Sequence, residues 1–150
     1  MKIFINNEGH LKDFIRLNEE WITKYFELED SDKKLAANPL KIIEEGGYVF
    51  SLVSEQVVVG ACALFNEGDG TFELARMAVS PTHQGKGYSD LLMKEVFSTL
   101  KKIHAHKVYL VSNTLLAPAI SLYKKHGFKT TATGKHPIYT RANIVMEMVL

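Results

Sequence analysis

The chain has 150 residues, a formal net charge of +1, 46% hydrophobic residues and 23% charged residues. That length suits one domain, residues 1–150, with enough chain to bury a sizeable core. The charge balance supplies no broad positive field for phosphates, so a nucleic-acid partner gains no support.

The opening "MKIFINNEG" has too short an apolar run for a secretory signal. No run approaches the ~20 residues of a membrane span. The expectation is a cytoplasmic protein with no membrane contact. "KIFIN" reads as a short first strand. From about Gly9 to Phe26, Leu11, Phe14, Ile15, Trp21, Ile22 and Tyr25 recur at helical spacing. A second helical piece covers roughly Ser31 to Glu45, divided at Pro39 and stopped by Gly46-Gly47.

The period then changes. "GYVFSLVS", "VVVGACALF" and "FELARMAV" are rich in β-branched and aromatic residues, with "NEGDGT" as the turn between the last two. They predict an antiparallel meander. Cys62, the only cysteine, falls in the middle stretch and reads as an inert core thiol. A lone cysteine excludes an intramolecular disulfide and a multi-cysteine zinc site. A glycine loop, "HQGKGYSD", leads into a helix from about Tyr88 to His104. "KVYLVS" is a strand, "LLAPAISLYKKH" a helix stopped by Gly127, and "FKTTATG" and "NIVMEMVL" are two closing strands. The segment from Phe72 to Leu110 is a β-α-β unit, so its strands should run parallel. The expected fold class is a mixed α/β protein, with a mostly antiparallel central sheet and flanking helices.

A strand-to-helix loop presents unpaired N–H groups at the positive end of a helix dipole, which is a general anion site. The loop fails the Walker A pattern, because Gly85-Lys86 is followed by Gly87. It fails the dinucleotide pattern at the third glycine, where Asp90 stands. "VSPTHQGKGYSDLLM" instead resembles the acetyl-CoA loop of the GNAT superfamily of N-acetyltransferases, [QR]-x-x-G-x-[GA] after a strand ending near V-x-P. Val79, Pro81, Gln84, Lys86 and Gly87 carry the match, and Ser89 replaces the last small residue. "AISLYKKHGF" resembles a second family segment through Ala119, Leu122, Tyr123, Gly127 and Phe128.

The resemblance implies a GNAT-like acyl-CoA N-acyltransferase fold and acetyl-CoA as cosubstrate, with no metal. It implies that Gln84, Gly85, Lys86, Gly87, Tyr88 and Ser89 bind the cofactor. Main-chain groups of Met77, Ala78 and Val79 would meet the pantetheine arm and the oxyanion. Asn113 is either a contact to that arm or a turn or helix cap. Lys124 and Lys125, like Lys86, either screen phosphates or are solvated charges.

Acyl transfer to an amine needs a neutral nucleophile. An amine with a pKa of ~10.4 is uncharged in roughly one molecule in 2,500 at pH 7, so a base is required. Glu73 is the base candidate; the other reading is an exposed strand-end carboxylate. Even spacing puts Glu73, Ala75, Met77 and Val79 on one strand face. By resemblance Tyr123 is the acid that protonates the leaving thiolate; it also reads as a core tyrosine. Trp21, Tyr25 and Phe26 read first as core, and Asn18 on their face needs a hydrogen-bond partner. The resemblance builds the acceptor pocket from the first helices and the last hairpin. Trp21 and Tyr139 would close its mouth, and Arg141 would clamp a substrate carboxylate or lie on the surface. His104 and His106 lack an acidic partner at metal-ligand spacing.

The expected function is direct acetyl transfer from acetyl-CoA to a primary amine of a small molecule. The alternatives are a protein or peptide N-acetyltransferase and a non-catalytic acyl-CoA-binding module. A homodimer through late strands is compatible with the resemblance.

Overall fold

The computed structural model describes residues 1–137 and 139–150. Seven strands form one sheet: β1 (Lys2–Ile5), β2 (Tyr48–Ser54), β3 (Val57–Gly68), β4 (Thr71–Val79), β5 (Lys107–Ser112), β6 (Lys129–Thr133) and β7 (Ile144–Val149). Their spatial order is β1-β2-β3-β4-β5-β7-β6. Every neighbouring pair is antiparallel except β4 and β5, which are parallel as the β-α-β reading requires. Five helices flank the sheet: α1 (Leu11–Tyr25), α2 (Asp30–Ala37), α3 (Leu40–Glu44), α4 (Tyr88–Lys102) and α5 (Ala117–Lys125). Among the described residues, no helix is long and apolar enough to cross a membrane.

The two sheet faces carry separate cores. On one face α4 packs Leu92, Met93, Val96 and Leu100 against Phe50, Leu64, Leu74, Leu110 and Met146. On the other, α1 sets Leu11, Phe14 and Leu17 against Val49, Ala61, Ala63 and Ala78. Small residues on β3 and β4 let α1 lie close to the sheet. Phe14 has no exposed surface, and burying a side chain of that size stabilises the fold by ~2–3 kcal/mol.

Two local departures from the sequence reading matter for the site. The stretch "NEGDGT" is not all turn. β3 runs on to Gly68, and only Asp69 (φ 53°) and Gly70 (φ 75°) make the turn. Positive φ at both central residues is what a tight two-residue hairpin demands, and Asp-Gly supplies it. The second departure is a pair of bulges between β3 and β4. One lies between the pairs Ala61↔Ala78 and Ala63↔Ala75, where Arg76 and Met77 stand opposite Cys62. Arg76 has a φ of 60°, unusual for a residue with a side chain. The other lies at Glu67, between Asn66↔Phe72 and Gly68↔Thr71.

Candidate active site

β4 and β5 pair only over Thr71↔Lys107, Phe72↔Val108 and Glu73↔Tyr109. Beyond Glu73 no main-chain hydrogen bond joins them, and the strands open a cleft. The cleft widens into a cavity of about 490 Å³ that runs from the α4 loop to the ends of α1 and the β6–β7 loop. Of the residues singled out in the sequence, it brings together Glu73, Met77, Val79, Gln84, Gly85, Gly87, Tyr88, Ser89, Asn113, Tyr123, Trp21, Tyr139 and Arg141. Lys86 does not line it, and the Ala78 side chain packs into the α1-side core.

At the α4 end the loop is shaped to receive an anion. Gly85 and Gly87 both have a φ of +78°, and a Cβ on either would meet no atom within 4 Å. Both glycines are therefore there for backbone conformation, and the space before them is open. Gly87 is the N-cap of α4. The first intrahelical bond is Leu91 N–H to Gly87 O, which leaves the N–H groups of Tyr88, Ser89 and Asp90 free within the helix. Asp90, the residue that breaks the dinucleotide pattern, is paired away from the loop. Its carboxylate meets His126 Nε2 at 2.8 Å and Lys125 Nζ at 3.2 Å. These partners draw its pKa down.

Tyr123 stands on α5 across the cleft, half-buried, with its ring edge-on to Phe128 at 6.0 Å. Its hydroxyl has no hydrogen-bond partner among the described residues. Burial, with a smaller contribution from the buried Cys62, pushes the phenol up to about 12, so it keeps its proton at neutral pH. Burial also pushes the Cys62 thiol up, leaving no thiolate to act as a nucleophile.

Glu73 is not an exposed strand-end carboxylate. It is 4% exposed, and its Oε2 has no hydrogen-bond partner. Burial, reinforced by Glu67, raises its pKa from 4.5 to about 7. Nor does it share a face with Met77 and Val79. The bulge at Arg76 inserts one residue, so Glu73 and Ala75 face the α1 side while Met77 and Val79 face the α4 side.

The end of the cavity beside α1 and the β6–β7 loop corrects two further readings. Trp21 is half-buried and packs against the α1-side core, as read, whereas Tyr25 is 49% exposed and not core. The Trp21 ring lies 5.4 Å from Tyr25 and 6.3 Å from Phe26, and the three form an aromatic wall of the cavity. Arg141 is not open to a substrate carboxylate. Its guanidinium donates to Asp32 at 2.7 Å through each terminal nitrogen and to Glu29 at 3.0 Å. Arg76 donates to the same Asp32 carboxylate and lies over the Tyr139 ring, 5.9 Å from its centre. Asn113 behaves as a turn residue: its Oδ1 accepts from Leu115 N–H at 2.9 Å, and its amide donates to Arg141 O at 2.7 Å. It thereby fixes the end of β5 to the β6–β7 loop. Asn18 is 3% exposed at the cavity wall, and its Nδ2 has no partner.

The sequence model of the Acetyltransferase (GNAT) family matches residues 14–128. The chain belongs to the GNAT family. An uncharacterised N-acetyltransferase of Schizosaccharomyces pombe is 28% identical over 144 residues, covering 92% of this chain and 88% of that protein. A GNAT-family acetyltransferase of Staphylococcus aureus Mu50 superposes with a TM-score of 0.86 at 18% identity, over 99% of both chains. YncA of Salmonella typhimurium, solved with its cofactor acetyl-CoA, superposes with a TM-score of 0.78 at 19% identity, over 100% of this chain and 94% of that one. At these identities the two solved structures establish the fold.

Within this GNAT chain, four site residues escaped the sequence reading: Glu67, Arg76, Tyr109 and Asp32. Glu67 was hidden by assigning its segment to a turn. Counting back from a two-residue Asp69-Gly70 turn would have kept it on β3, facing Glu73. No comparable signal marks Asp32, whose partners lie 44 and 109 residues away. Among the described residues, no three His, Cys, Asp or Glu side chains come together to hold a metal.

Proposed function

We propose that this chain transfers the acetyl group of acetyl-CoA directly to a primary amine of a small molecule. The observation that carries the reading is the placement of the buried Glu73 and the protonated Tyr123 in one cavity, on either side of the β4–β5 cleft. The loop at Gly85 and Gly87, with the free N–H groups that open α4, fits the phosphates of CoA. The open edge of β4 past Glu73 fits an extended amide-containing arm, which pairs as a strand would.

When bound, acetyl-CoA supplies the activated acyl carbon. Glu73, close to half-ionised at pH 7, takes a proton from the incoming ammonium. Tyr123 holds its proton until the thiolate leaves, then donates it. The aromatic wall of Trp21, Tyr25 and Phe26 excludes water and holds the acceptor's carbon skeleton.

Two contacts favour a small acceptor over a peptide. Thr140 Oγ1 donates to Glu29 Oε1 at 2.8 Å, and Arg141 grips Asp32. Together they close the gap between α2 and the β6–β7 loop, where a peptide would need an open groove. The commitment of Arg141 to Asp32 and Glu29 further favours an amine without a carboxylate beside it. The test is a panel of small amines and N-terminal peptides with acetyl-CoA, read by thiol release and product mass. Acetylation of carboxylate-free small amines supports the reading. CoA binding with no transfer to any amine overturns it.

A further inference from the structure

Three adjacent strands place three polar side chains on one face of the sheet. Glu73 of β4 pairs in register with Tyr109 of β5 and with Phe65 of β3. Val108 and Leu110, the neighbours of Tyr109, sit in the opposite core, so Tyr109 turns toward the Glu73 side. Two residues beyond Phe65 the bulge in β3 presents Glu67 to the same group. The Tyr109 hydroxyl donates to Glu67 Oε1 at 2.9 Å. Glu67 is exposed, Tyr109 half-buried and Glu73 buried, an ordered passage from water to the cavity.

We propose that Glu67, Glu73 and Tyr109 form one proton-accepting unit, in which Glu73 takes the proton of the incoming amine and Glu67 hands it on to solvent. The inference rests on the proposed function and assigns its proton exit. An ammonium loses two protons on becoming an amide N–H. The second, released as the N–C bond forms and the C–S bond breaks, replaces the proton that Tyr123 gives to the CoA thiolate. The first must leave for water, and each turnover must return Glu73 to its carboxylate. Glu73 lines the cavity that the acetyl donor and the amine would fill, and Glu67, facing it from β3, is exposed to solvent.

The electrostatics agree with the geometry. Facing Glu73 are Glu67 from β3, Arg76 from its own strand, Tyr109 from β5 and Tyr139 from the β6–β7 loop; α1 adds Asn18, Trp21 and Tyr25 to the cavity. Glu67 opposes ionisation of Glu73, while Arg76 and Tyr109 favour it. Burial, with the charges of Glu73 and Glu67, pushes the Tyr109 phenol up, so it stays a donor.

The test is Glu67→Gln and Tyr109→Phe, with Glu67→Asp as the conservative rescue. Side-chain carboxyl NMR follows Glu73 in the free protein, and kcat/KM is followed against pH. Glu67→Gln should lower the Glu73 midpoint by roughly one unit, the scale of a lost like-charged neighbour. Tyr109→Phe should raise it. The acid limb of kcat/KM should move with each. Turnover of Glu67→Gln should fall about tenfold and recover with a small diffusible buffer base or in Glu67→Asp. If wild type is active but Glu67→Gln leaves both the midpoint and turnover unchanged, the proton unit is overturned alone. If wild type acetylates no amine, the proposed function falls and takes this inference with it.

Discussion

The carboxylate of Asp32, which has no exposed surface, is held by both terminal nitrogens of Arg141, each at 2.7 Å. Arg76 donates to the same carboxylate, so one buried acid joins α2, the β4 bulge and the β6–β7 loop. Burial would raise the Asp32 pKa, but Arg141, the Glu29 N–H and Arg76 outweigh it and hold the group at about 2. Asp32→Ala leaves two arginines facing a lost charge and should cost about 3–5 kcal/mol in urea unfolding at pH 7. The contribution of the Asp32 charge is fully present above pH 3.8 and is lost as pH falls through 2. The acid limb of stability between these values should therefore flatten in the variant.

Glu73 has the opposite sign. Its folded pKa of about 7 lies above the ordinary 4.5, so its ionisation opposes folding as pH rises across that window. The penalty is absent below pH 4.5 and reaches about 3 kcal/mol above pH 7. Glu73→Gln should therefore be more stable than wild type at pH 8 by up to that amount and equal to it at pH 4. Its turnover should fall by ~10²-fold or more. Thermal unfolding at the two pH values, with thiol-release kinetics, checks both.

Tyr123→Phe keeps the ring on Phe128 and removes only the hydroxyl. CoA affinity by calorimetry should be unchanged while kcat falls on the order of 10²-fold. Equal turnover would remove Tyr123 from the role of proton donor.

Gly87→Glu tests the loop. Open space before Gly87 accommodates a side chain, so the chain should fold with a strain cost of about 1–2 kcal/mol from its positive φ. The new carboxylate would stand where phosphates are expected, and acetyl-CoA affinity should drop at least about tenfold, the factor that 1.4 kcal/mol of lost attraction gives. Micromolar binding retained by the variant would place the phosphates elsewhere.

The fold was largely legible because its signals are local. Leu11, Phe14 and Ile22 share a helical period, and the β-α-β segment admits few topologies. The loop at Gln84–Ser89 was legible for the same reason, since its motif is contiguous. The end of the cavity beside α1 and the β6–β7 loop was not. The pairing of Asp32 with Arg76 and Arg141 joins three distant segments. Tyr25 and Phe26 follow the apolar period of α1 yet run past the sheet and line the cavity instead. Arg76 gave no sign of a bulge, because arginine has no preference for positive φ. Without that bulge the even spacing of Glu73, Met77 and Val79 looked like one face.

The inserted residue at Arg76 gives β4 two phases along a single strand. Upstream, odd-numbered positions face the α1 side and even-numbered positions the α4 core; downstream the assignments exchange. A substitution tolerated at Ala75 thus says nothing about Met77, and a polar scan should show its sensitive positions jump by one at Arg76. Deleting that residue would bring the strand back into one phase. Either segment then has to turn its side chains to the wrong side of the sheet, so the α1-facing Glu73 and the α4-facing Met77 and Val79 cannot both be kept. The bulge therefore sets which side of the sheet every later side chain of β4 faces.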